Sequence, residues 1–265
     1  MEFDNSWRAV FNPGASSQFF SPPPGRVLVG REFSATNAWW LAELSRLIYR
    51  NDGPAGAGSR DSILAGVGLC ERRFFDRRAT QGALVGPRGE GGAAVAALVF
   101  RGTDGLRDWR ANLTSLPAEG TNGGAVHRGF KTALDDVWDD IEQALDGLEA
   151  SVFYTGHSLG GALATLAAAR RPPLAVYTFG APRVGDAEFA ETLADVPCYR
   201  VVNRRDRAPN LPPAVGLRYR HAGELRALSV GAPLPGRHRW FDPPGFLCDH
   251  APTNYVACLE RLARG

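Results

Sequence analysis

The chain has 265 residues, of which 44% are hydrophobic and 22% are charged, a composition typical of one globular domain. Thirty Lys and Arg against 28 Asp and Glu leave a net charge of +2, too small for a protein held on nucleic acid by phosphate contacts. The longest apolar run, Ala93–Phe100, is too short to cross a membrane as a helix, so no transmembrane segment is expected.

The chain begins with acidic residues, and no apolar run follows them. The sequence therefore predicts no secretory signal and an intracellular protein, or a secreted one if a signal has been removed. Residues 1–33 are rich in Pro and Gly and predict an irregular strap across a single domain that spans residues 1–265.

The four cysteines have no metal-binding spacing and are expected as small buried residues. A bridge between Cys248 and Cys258 is the alternative in an oxidising compartment.

Apolar residues at helical spacing predict a helix over 38–49, with Thr36 or Asn37 as its cap. Short links then join strand-like runs, which predicts that the sheet begins with antiparallel strands. These runs are 67–75, 79–85 and 93–101.

Beyond residue 130, helices and strands alternate. The predicted order is helix 130–148, strand 151–155, helix 158–170, strand 175–179, helix 187–193 and strand 198–202. Strands separated by helices need crossover connections and therefore lie parallel. The fold class is α/β, with a mixed, mostly parallel central sheet flanked by helices. Strand candidates at 216–222 and 225–230 precede a closing helix at 253–262.

The segment Val152-Phe-Tyr-Thr-Gly-His-Ser-Leu-Gly-Gly-Ala contains G-x-S-x-G between a predicted strand and a predicted helix. Gly156 and Gly160 keep Cβ atoms out of a tight strand-to-helix turn, so Ser158 can stand at its tip with the hydroxyl exposed. The N-terminus of the following helix favours an anion at this point. Ser158 is therefore the candidate nucleophile, and a Gly-Ser turn without chemistry is the alternative.

A serine hydroxyl becomes nucleophilic when a base takes its proton and a carboxylate orients that base. Asp206 follows the end of a predicted strand and is the candidate acid. Asp186 is the competing carboxylate, although its place before Ala187 suits a helix cap better.

Three histidines follow the serine in the chain. His250 is the candidate base because it lies in a loop before the last helix, from which the chain can fold back over the sheet edge. His221 lies in a strand-like run and suits a structural role. His238 lies among arginines that disfavour its protonated form. His157, beside the nucleophile, is expected to be its packing and hydrogen-bonding neighbour.

Acyl transfer also needs donors for the tetrahedral oxyanion. The backbone N–H of Leu159, directly after the nucleophile, is one candidate. Thr103 is the other, because Phe100-Arg-Gly-Thr-Asp predicts a tight turn at the end of strand 93–101.

From about residue 95 to residue 250 the chain resembles the class 3 lipases, the fungal-type triacylglycerol lipase family of α/β-hydrolases. The blocks that carry the resemblance are Val99-Phe-Arg-Gly-Thr with Asp108-Trp-Arg-Ala-Asn-Leu, Val126-His-Arg-Gly-Phe, Thr155-Gly-His-Ser-Leu-Gly-Gly-Ala, Thr178-Phe-Gly-Ala-Pro-Arg-Val-Gly-Asp, Val202-Asn-Arg-Arg-Asp with Leu211-Pro-Pro, and Asp249-His.

The resemblance implies an α/β-hydrolase fold and a Ser158–Asp206–His250 triad. It also implies an oxyanion hole from Thr103 and Leu159, and no need for a metal or an organic cofactor. One departure lies after His250, where the family usually has an aromatic residue close by. Here Ala251-Pro-Thr-Asn intervene before Tyr255.

By the same resemblance, residues 104–116 correspond to the family's lid over the acyl site. Leu106, Trp109 and Leu113 would form one apolar helical face, which could open onto lipid. A surface helix packed on its own domain is the alternative.

Together these residues predict a serine carboxylic ester hydrolase, with acylglycerols as substrates and transient contact with a lipid–water interface. Feruloyl-type or phospholipid esters are the alternative substrates. A non-catalytic lipid-binding protein, or an acyltransferase or peptidase on the same triad, is the alternative function.

Overall fold

A mixed β-sheet forms the centre of the protein. The computed structural model describes residues 2–16, 18–21, 23–26, 30–50, 58–89, 95–103, 117–214, 219–228 and 241–265. Its strands are β1 (Leu69–Arg77), β2 (Thr80–Pro87), β3 (Val95–Phe100), β4 (Pro117–Glu119), β5 (Ala125–His127), β6 (Ser151–His157), β7 (Ala175–Phe179), β8 (Cys198–Asn203) and β9 (Glu224–Leu228).

The main sheet has the strand order β1-β2-β3-β6-β7-β8-β9. The pairs β1–β2 and β2–β3 are antiparallel, and every pair from β3 to β9 is parallel. The predicted mixed, mostly parallel sheet is confirmed. The parallel part follows from the helices between its strands, because a crossover returns the chain to the same end of the sheet.

Two features of the strands differ from the prediction. The strands β4 and β5 form a separate antiparallel pair, and three-residue strands are too short for an alternating pattern to reveal them. Of the candidate strand 216–222 only residues 219–222 are described, and there Arg220 forms an isolated bridge with Gly185. The candidate at 225–230 corresponds to β9.

Helices cover both faces of the sheet. Within the described residues, none of them has both the length and the apolarity that a bilayer crossing requires. They are α1 (Trp7–Phe11), α2 (Ala35–Leu47), α3 (Arg60–Ala65), α4 (Arg128–Asp146), α5 (Leu159–Arg170), α6 (Ala187–Glu191), α7 (Gly245–His250) and α8 (Pro252–Arg264).

The predicted cap of α2 is wrong. The Oγ atom of Ser34 accepts the backbone N–H of Asn37 at 3.2 Å, so Ser34 is the N-cap. Thr36 and Asn37 lie inside the first turn because the helix begins at Ala35, earlier than the apolar spacing indicated.

Successive residues of the central strands face opposite layers of the core, as the two-residue period of a strand requires. Val99 packs with α2, α8 and the aromatic residues of the N-terminal strap. Leu98 and Phe100 pack on the other face, against α4 and α5. Burying one such side chain stabilises the fold by about 1.5–3 kcal/mol, and the apolar strands are thereby fixed between two helical layers.

The strap over residues 1–33 contains the short helix α1 and is tied to the core by a buried ion pair in α2. The Glu43 carboxylate lies 2.7 Å from Arg46 Nη2 and accepts the backbone N–H of Phe20 at 3.1 Å. Arg46 Nη2 also donates to the carbonyl of Gln18 at 2.7 Å. Burial raises the pKa of Glu43, and the charge of Arg46 opposes that shift.

The thiols of Cys248 and Cys258 are both free and buried, so the alternative bridge is not formed. Cys248 donates to the carbonyl of Pro243 at 3.4 Å, and Cys258 donates to Asn203 Oδ1 at 3.7 Å. Burial raises the pKa of Cys248 to about 11, which keeps this thiol protonated and unreactive at neutral pH.

We expect Arg46→Met to lower the free energy of unfolding by about 3–5 kcal/mol, because it leaves the Glu43 carboxylate buried without its cation. The loss should shrink as the pH falls, because the folded variant then takes up the proton that its raised Glu43 pKa favours. Urea denaturation at several pH values measures both effects. The matched control is Arg77→Met, which removes an exposed pair with Asp140. An equal effect of the two substitutions would contradict the role given to the buried pair.

Candidate active site

Ser158 lies at a sharp turn between β6 and α5. Its backbone has φ 55° and ψ −124°, a conformation that costs a residue with a Cβ roughly 1–3 kcal/mol. The turn is held by the N–H of Ser158, which donates to the carbonyl of Phe179 on β7 at 2.9 Å. The strained turn predicted from G-x-S-x-G is therefore present, and it places the hydroxyl above the ends of the parallel strands.

Two glycines allow this turn to pack. A Cβ at Gly156 would stand 2.3 Å from the backbone of Gly160, and a Cβ at Gly160 would stand 2.2 Å from the carbonyl oxygen of Phe100. No side chain fits at such distances, so glycine at both positions is what brings α5 against β6 and β3.

The structure brings Ser158, His250 and Asp206 together. The Nδ1 atom of His250 lies 2.9 Å from Asp206 Oδ2, and its Nε2 lies 3.1 Å from Ser158 Oγ. An ionised carboxylate only accepts, so Nδ1 carries the proton and Nε2 is left to accept from the serine hydroxyl. All three residues are buried. The arrangement is able to withdraw the proton of Ser158 through a fixed imidazole tautomer.

His250 reaches this position from a helix and not from a loop, so the prediction of its local structure is wrong. It is the last residue of α7, a six-residue helix that sequence reasoning missed. A segment of that length has too few turns for helical spacing to be recognised. The helix stops at His250 because the ring of Pro252 disfavours the helical conformation of the residue before it, and Ala251 accordingly has an extended backbone with ψ 130°.

The carboxylate of Asp206 makes more contacts than a single imidazole requires. Its Oδ1 accepts the backbone N–H of Ala208 at 2.8 Å, and its Oδ2 also accepts the hydroxyl of Tyr255 at 2.6 Å. The same hydroxyl accepts the backbone N–H of Asn203 at 3.1 Å. Tyr255 is fully buried, and burial together with the charge of Asp206 raises its pKa well above 10. It therefore remains a donor to the carboxylate throughout the neutral and alkaline range.

Tyr255 is a site residue that the sequence did not assign. The only signal was its aromatic character a short distance after His250, further along than the family pattern has it. Tyr255 lies in the first turn of α8, and this turn brings its hydroxyl within hydrogen-bond distance of Asp206 despite the longer spacing after His250.

Gly180, directly after β7, completes the packing round the acid. It has φ +61°, and a Cβ there would stand 2.5 Å from Asp206 Oδ2 and 3.0 Å from His250 Nδ1. Any other residue would have to push the carboxylate and the imidazole apart.

His157 is the packing and hydrogen-bonding neighbour that was predicted. Its Nε2 donates to the carbonyl of His250 at 2.6 Å, and its Nδ1 accepts from the hydroxyl of Tyr49 at 3.0 Å. Burial, and then the neighbouring His250, lower the pKa of His157 well below 6.5. It is therefore neutral at physiological pH, and it holds the backbone of His250 and not its reacting nitrogen.

The segment that ends β3 lies against the serine turn. A Cβ at Gly102 would stand 2.7 Å from the carbonyl oxygen of His157 and 2.1 Å from the hydroxyl of Tyr49. Thr103 is the next residue, and Leu159 is the first residue of α5. The structure thus places both candidate oxyanion donors on segments that adjoin the turn of Ser158.

The competing candidates have other roles or are not described. Asp186 caps α6, as predicted, by accepting the N–H of Phe189 at 2.9 Å. His221 Nε2 donates to the carbonyl of Pro209 at 2.8 Å, and burial followed by the charge of Arg200 lowers its pKa to about 4. His238 lies outside the described residues.

The candidate lid over residues 104–116, with Leu106, Trp109 and Leu113, also lies outside the described residues. Across the parts of the chain that are described, no group of three or more His, Cys, Asp or Glu side chains is arranged to hold a metal ion.

Comparison with known proteins identifies the relatives of this site. The family model Lipase (class 3) matches residues 97–216, which include Ser158 and Asp206. The chain is 39% identical over 184 residues to a lipase of Rhizomucor miehei, covering 63% of this chain and 50% of that protein. It is 34% identical over 196 residues to a secreted mono- and diacylglycerol lipase of Fusarium solani, covering 65% of this chain and 57% of that protein.

A solved structure of a fungal lipase–inhibitor complex, described as a model for interfacial activation in lipases, is also similar. It is 32% identical, with a TM-score of 0.52, over 61% of this chain and 67% of that one. The present chain spans about half the length of the curated relatives it matches.

We expect Tyr255→Phe to lower the free energy of unfolding by about 1.5–3 kcal/mol, because it removes a hydrogen bond to a buried carboxylate and leaves the N–H of Asn203 unpaired. Urea denaturation measures the change. The control is Tyr219→Phe, since the buried hydroxyl of Tyr219 has no hydrogen-bond partner among the described residues. If the two variants were equally stable, the hydroxyl of Tyr255 would not support Asp206.

Proposed function

Because this chain belongs to the class 3 lipase family, we propose that it is a serine carboxylic ester hydrolase that forms an acyl-enzyme on Ser158. The observation that carries the proposal is the row of hydrogen bonds from Ser158 Oγ through the imidazole of His250 to Asp206 Oδ2. Three residues far apart in sequence do not form such a row unless the fold aligns them.

In the proposed reaction, Ser158 Oγ attacks the ester carbonyl carbon while its proton passes to His250 Nε2. Asp206 keeps the proton on Nδ1 and stabilises the imidazolium that forms. The tetrahedral intermediate collapses when His250 returns the proton to the leaving alcohol. Water, deprotonated by the same imidazole, then attacks the acyl-enzyme and releases the carboxylic acid.

The oxyanion of the tetrahedral intermediate is proposed to accept the backbone N–H of Leu159 and a donor of Thr103. The N–H of Leu159 is free of intrahelical bonding because it lies in the first turn of α5. The positive end of that helix dipole also favours the negative oxygen. Loss of one such donor typically costs about 10²- to 10³-fold in turnover.

Acylglycerols are the proposed substrates. The support is that the curated relatives include lipases and a mono- and diacylglycerol lipase. A phospholipase A1 of Oryza sativa, 32% identical over 176 residues, keeps phospholipid esters as the second candidate. The complete hydrogen-bonded row argues against the non-catalytic alternative. A feruloyl-type ester and an acyl acceptor other than water remain alternatives within the same chemistry.

We further propose that residues 1–265 form one α/β-hydrolase domain and that residues 104–116 act as its lid. The support for the single domain is that the strap, α2 and α8 share one core layer with the sheet. The support for the lid is its position directly after Thr103 and the apolar stripe of Leu106, Trp109 and Leu113.

Ser158→Ala should lower kcat by roughly 10⁶-fold on a soluble nitrophenyl ester, because it removes the hydroxyl on which the acyl-enzyme forms. The urea midpoint should stay near that of the unchanged protein. The control is Ser151→Ala, an exposed serine at the start of the same strand, which should retain full turnover. Hydrolysis retained by Ser158→Ala would remove Ser158 from its role.

With a short-chain triglyceride, we expect the rate to rise steeply once the concentration exceeds the solubility limit and an emulsion forms. The reason is that an apolar lid face gains lipid contact only at an interface. Rates measured across the solubility limit test this. A smooth saturation curve with no rise at that limit would contradict the lid and would favour a soluble esterase.

A further inference from the structure

Tyr49 is a buried residue just after α2 that no sequence motif marked as part of the site. The class 3 family model begins at residue 97, far beyond it in the chain. The hydroxyl of Tyr49 nevertheless lies 3.0 Å from His157 Nδ1, and the two rings meet edge to face with their centres 6.0 Å apart. The fold thus brings a group from the N-terminal part of the chain to the neighbour of the nucleophile.

The backbone of Tyr49 is held between α2 and the N-terminal strap. Its N–H donates to the carbonyl of Arg46 at 3.3 Å. Gly14 of the strap lies so close that a Cβ there would stand 2.5 Å from the carbonyl carbon of Tyr49. Arg50, the next residue, donates from Nη1 to the carbonyl of Gly14 at 3.0 Å. The hydroxyl is therefore presented to His157 from a fixed backbone.

His157 in turn contacts the candidate base in two ways. Its Nε2 lies 2.6 Å from the carbonyl oxygen of His250, and its ring lies against the imidazole of His250 with the ring centres 4.5 Å apart. His250 ends α7, and the last carbonyl groups of a helix have no partner within it. The bond from His157 therefore fixes the peptide plane from which the imidazole of His250 extends.

The directions of these hydrogen bonds follow from the chemistry of the groups. A backbone carbonyl only accepts, so His157 Nε2 carries a proton. Burial lowers the pKa of His157 well below 6.5, so its imidazole is neutral and has a single N–H. Nδ1 is then a buried acceptor, which is unfavourable unless a donor meets it, and the hydroxyl of Tyr49 is that donor. The bonds to Tyr49 and to His250 select the same tautomer and fix both ring nitrogens.

We propose that Tyr49 is a positioning residue for ester hydrolysis and that it acts on His250 through the imidazole of His157. Its hydroxyl keeps the His157 ring in the orientation in which Nε2–H meets the carbonyl of His250. This keeps His250 Nε2 within hydrogen-bond distance of Ser158 Oγ. The inference rests on the proposed function, because it concerns the base of that reaction.

Tyr49→Phe should lower kcat on a soluble nitrophenyl ester by about tenfold and leave KM unchanged, because a small displacement of the base slows the reaction without weakening substrate binding. The matched control is Tyr199→Phe. Tyr199 is also buried, and its hydroxyl donates to the carbonyl of Arg31 at 2.6 Å, so the same kind of hydrogen bond is lost elsewhere in the fold. The control should retain full kcat, and equal losses in the two variants would contradict a positioning role.

Two substitutions of His157 separate its two hydrogen bonds. The amide nitrogen of Gln reaches the place of Nε2 and donates there, whereas the amide oxygen of Asn reaches only the place of Nδ1 and accepts from Tyr49. His157→Gln should therefore keep kcat within about threefold, and His157→Asn should lower it by about tenfold or more. Equal losses in the two variants would show that the bond to the carbonyl of His250 is not the link. Urea midpoints check that each variant is folded.

The decisive measurement combines the variants. In the His157→Gln background Tyr49 has no Nδ1 to act through, so Tyr49→Phe should lower kcat there by less than about twofold. The same tenfold loss in both backgrounds would overturn the proposal. It would indicate a direct role of Tyr49 at the segment of Gly102, where a Cβ would stand 2.1 Å from the hydroxyl. No loss in the original background would overturn the proposal as well.

Nuclear magnetic resonance tests the same link without turnover. In the full chain with isotope-labelled histidine, nitrogen chemical shifts distinguish the two neutral tautomers, and the signals of His157 are those lost in His157→Gln. We expect a protonated Nε2 and a bare Nδ1 at neutral pH, with the Nδ1 signal moved by Tyr49→Phe. A proton on Nδ1 in the unchanged chain would overturn the proposal even if a variant failed to fold.

The two kinds of failure are distinguishable. An unchanged chain without esterase activity would refute the hydrolase, while the resonance spectra would still report whether Tyr49 holds the His157 ring. An active chain in which Tyr49→Phe keeps full kcat would refute the positioning role and leave the hydrolase standing.

Discussion

The backbone turn at Ser158 is the constraint on which the rest of the site depends. It holds a residue with a side chain at φ 55°, between a strand and a helix that approach closely only because glycine stands on either side. The strain is borne by the surrounding structure: β6 is paired on both edges, and the N–H of Ser158 is bound to β7. If that turn relaxed, the hydroxyl would leave the sheet edge, and the imidazole of His250 would have nothing to accept from.

The second constraint acts on the imidazole from behind. Asp206 Oδ2 is shared between His250 and Tyr255, and the carbonyl of His250 is held by His157. These supports come from β6, from the end of β8 and from the two C-terminal helices, so the acid and the base are each fixed by more than one element. Buried hydrogen bonds of this kind strongly favour one geometry, because a donor or acceptor left unpaired in the protein interior would lower the stability of the fold. A preorganised site of this form is what acyl transfer requires.

The loop after β8 faces two environments. One side of Asp206 meets the imidazole, and the flanking Arg205 and Arg207 line a pocket of about 420 Å³ beside the beginning of α7. The family's α/β-hydrolase fold explains the first of these, since it places the acid at the carboxyl end of a parallel strand. It does not explain the second, which depends on the particular contacts of Arg205 with Asp249 and of Arg207 with Phe246.

The sequence by itself determined the α/β class, the mixed sheet and the turn at Ser158, because these depend on local periods and on glycine at fixed spacing. It also favoured Asp206 and His250 by their order in the chain, and it favoured a capping role for the competing Asp186. Only the tertiary structure decided that Ser34 caps α2, that His250 ends a short helix, and that Tyr255 donates to the acid. The contact of Tyr255 with Asp206 joins residues 49 positions apart, and no local pattern carries information about such a distance. The start of α2 and the short helix α7 are local features, but the apolar spacing did not mark them because a helix end or a six-residue helix contains too few turns.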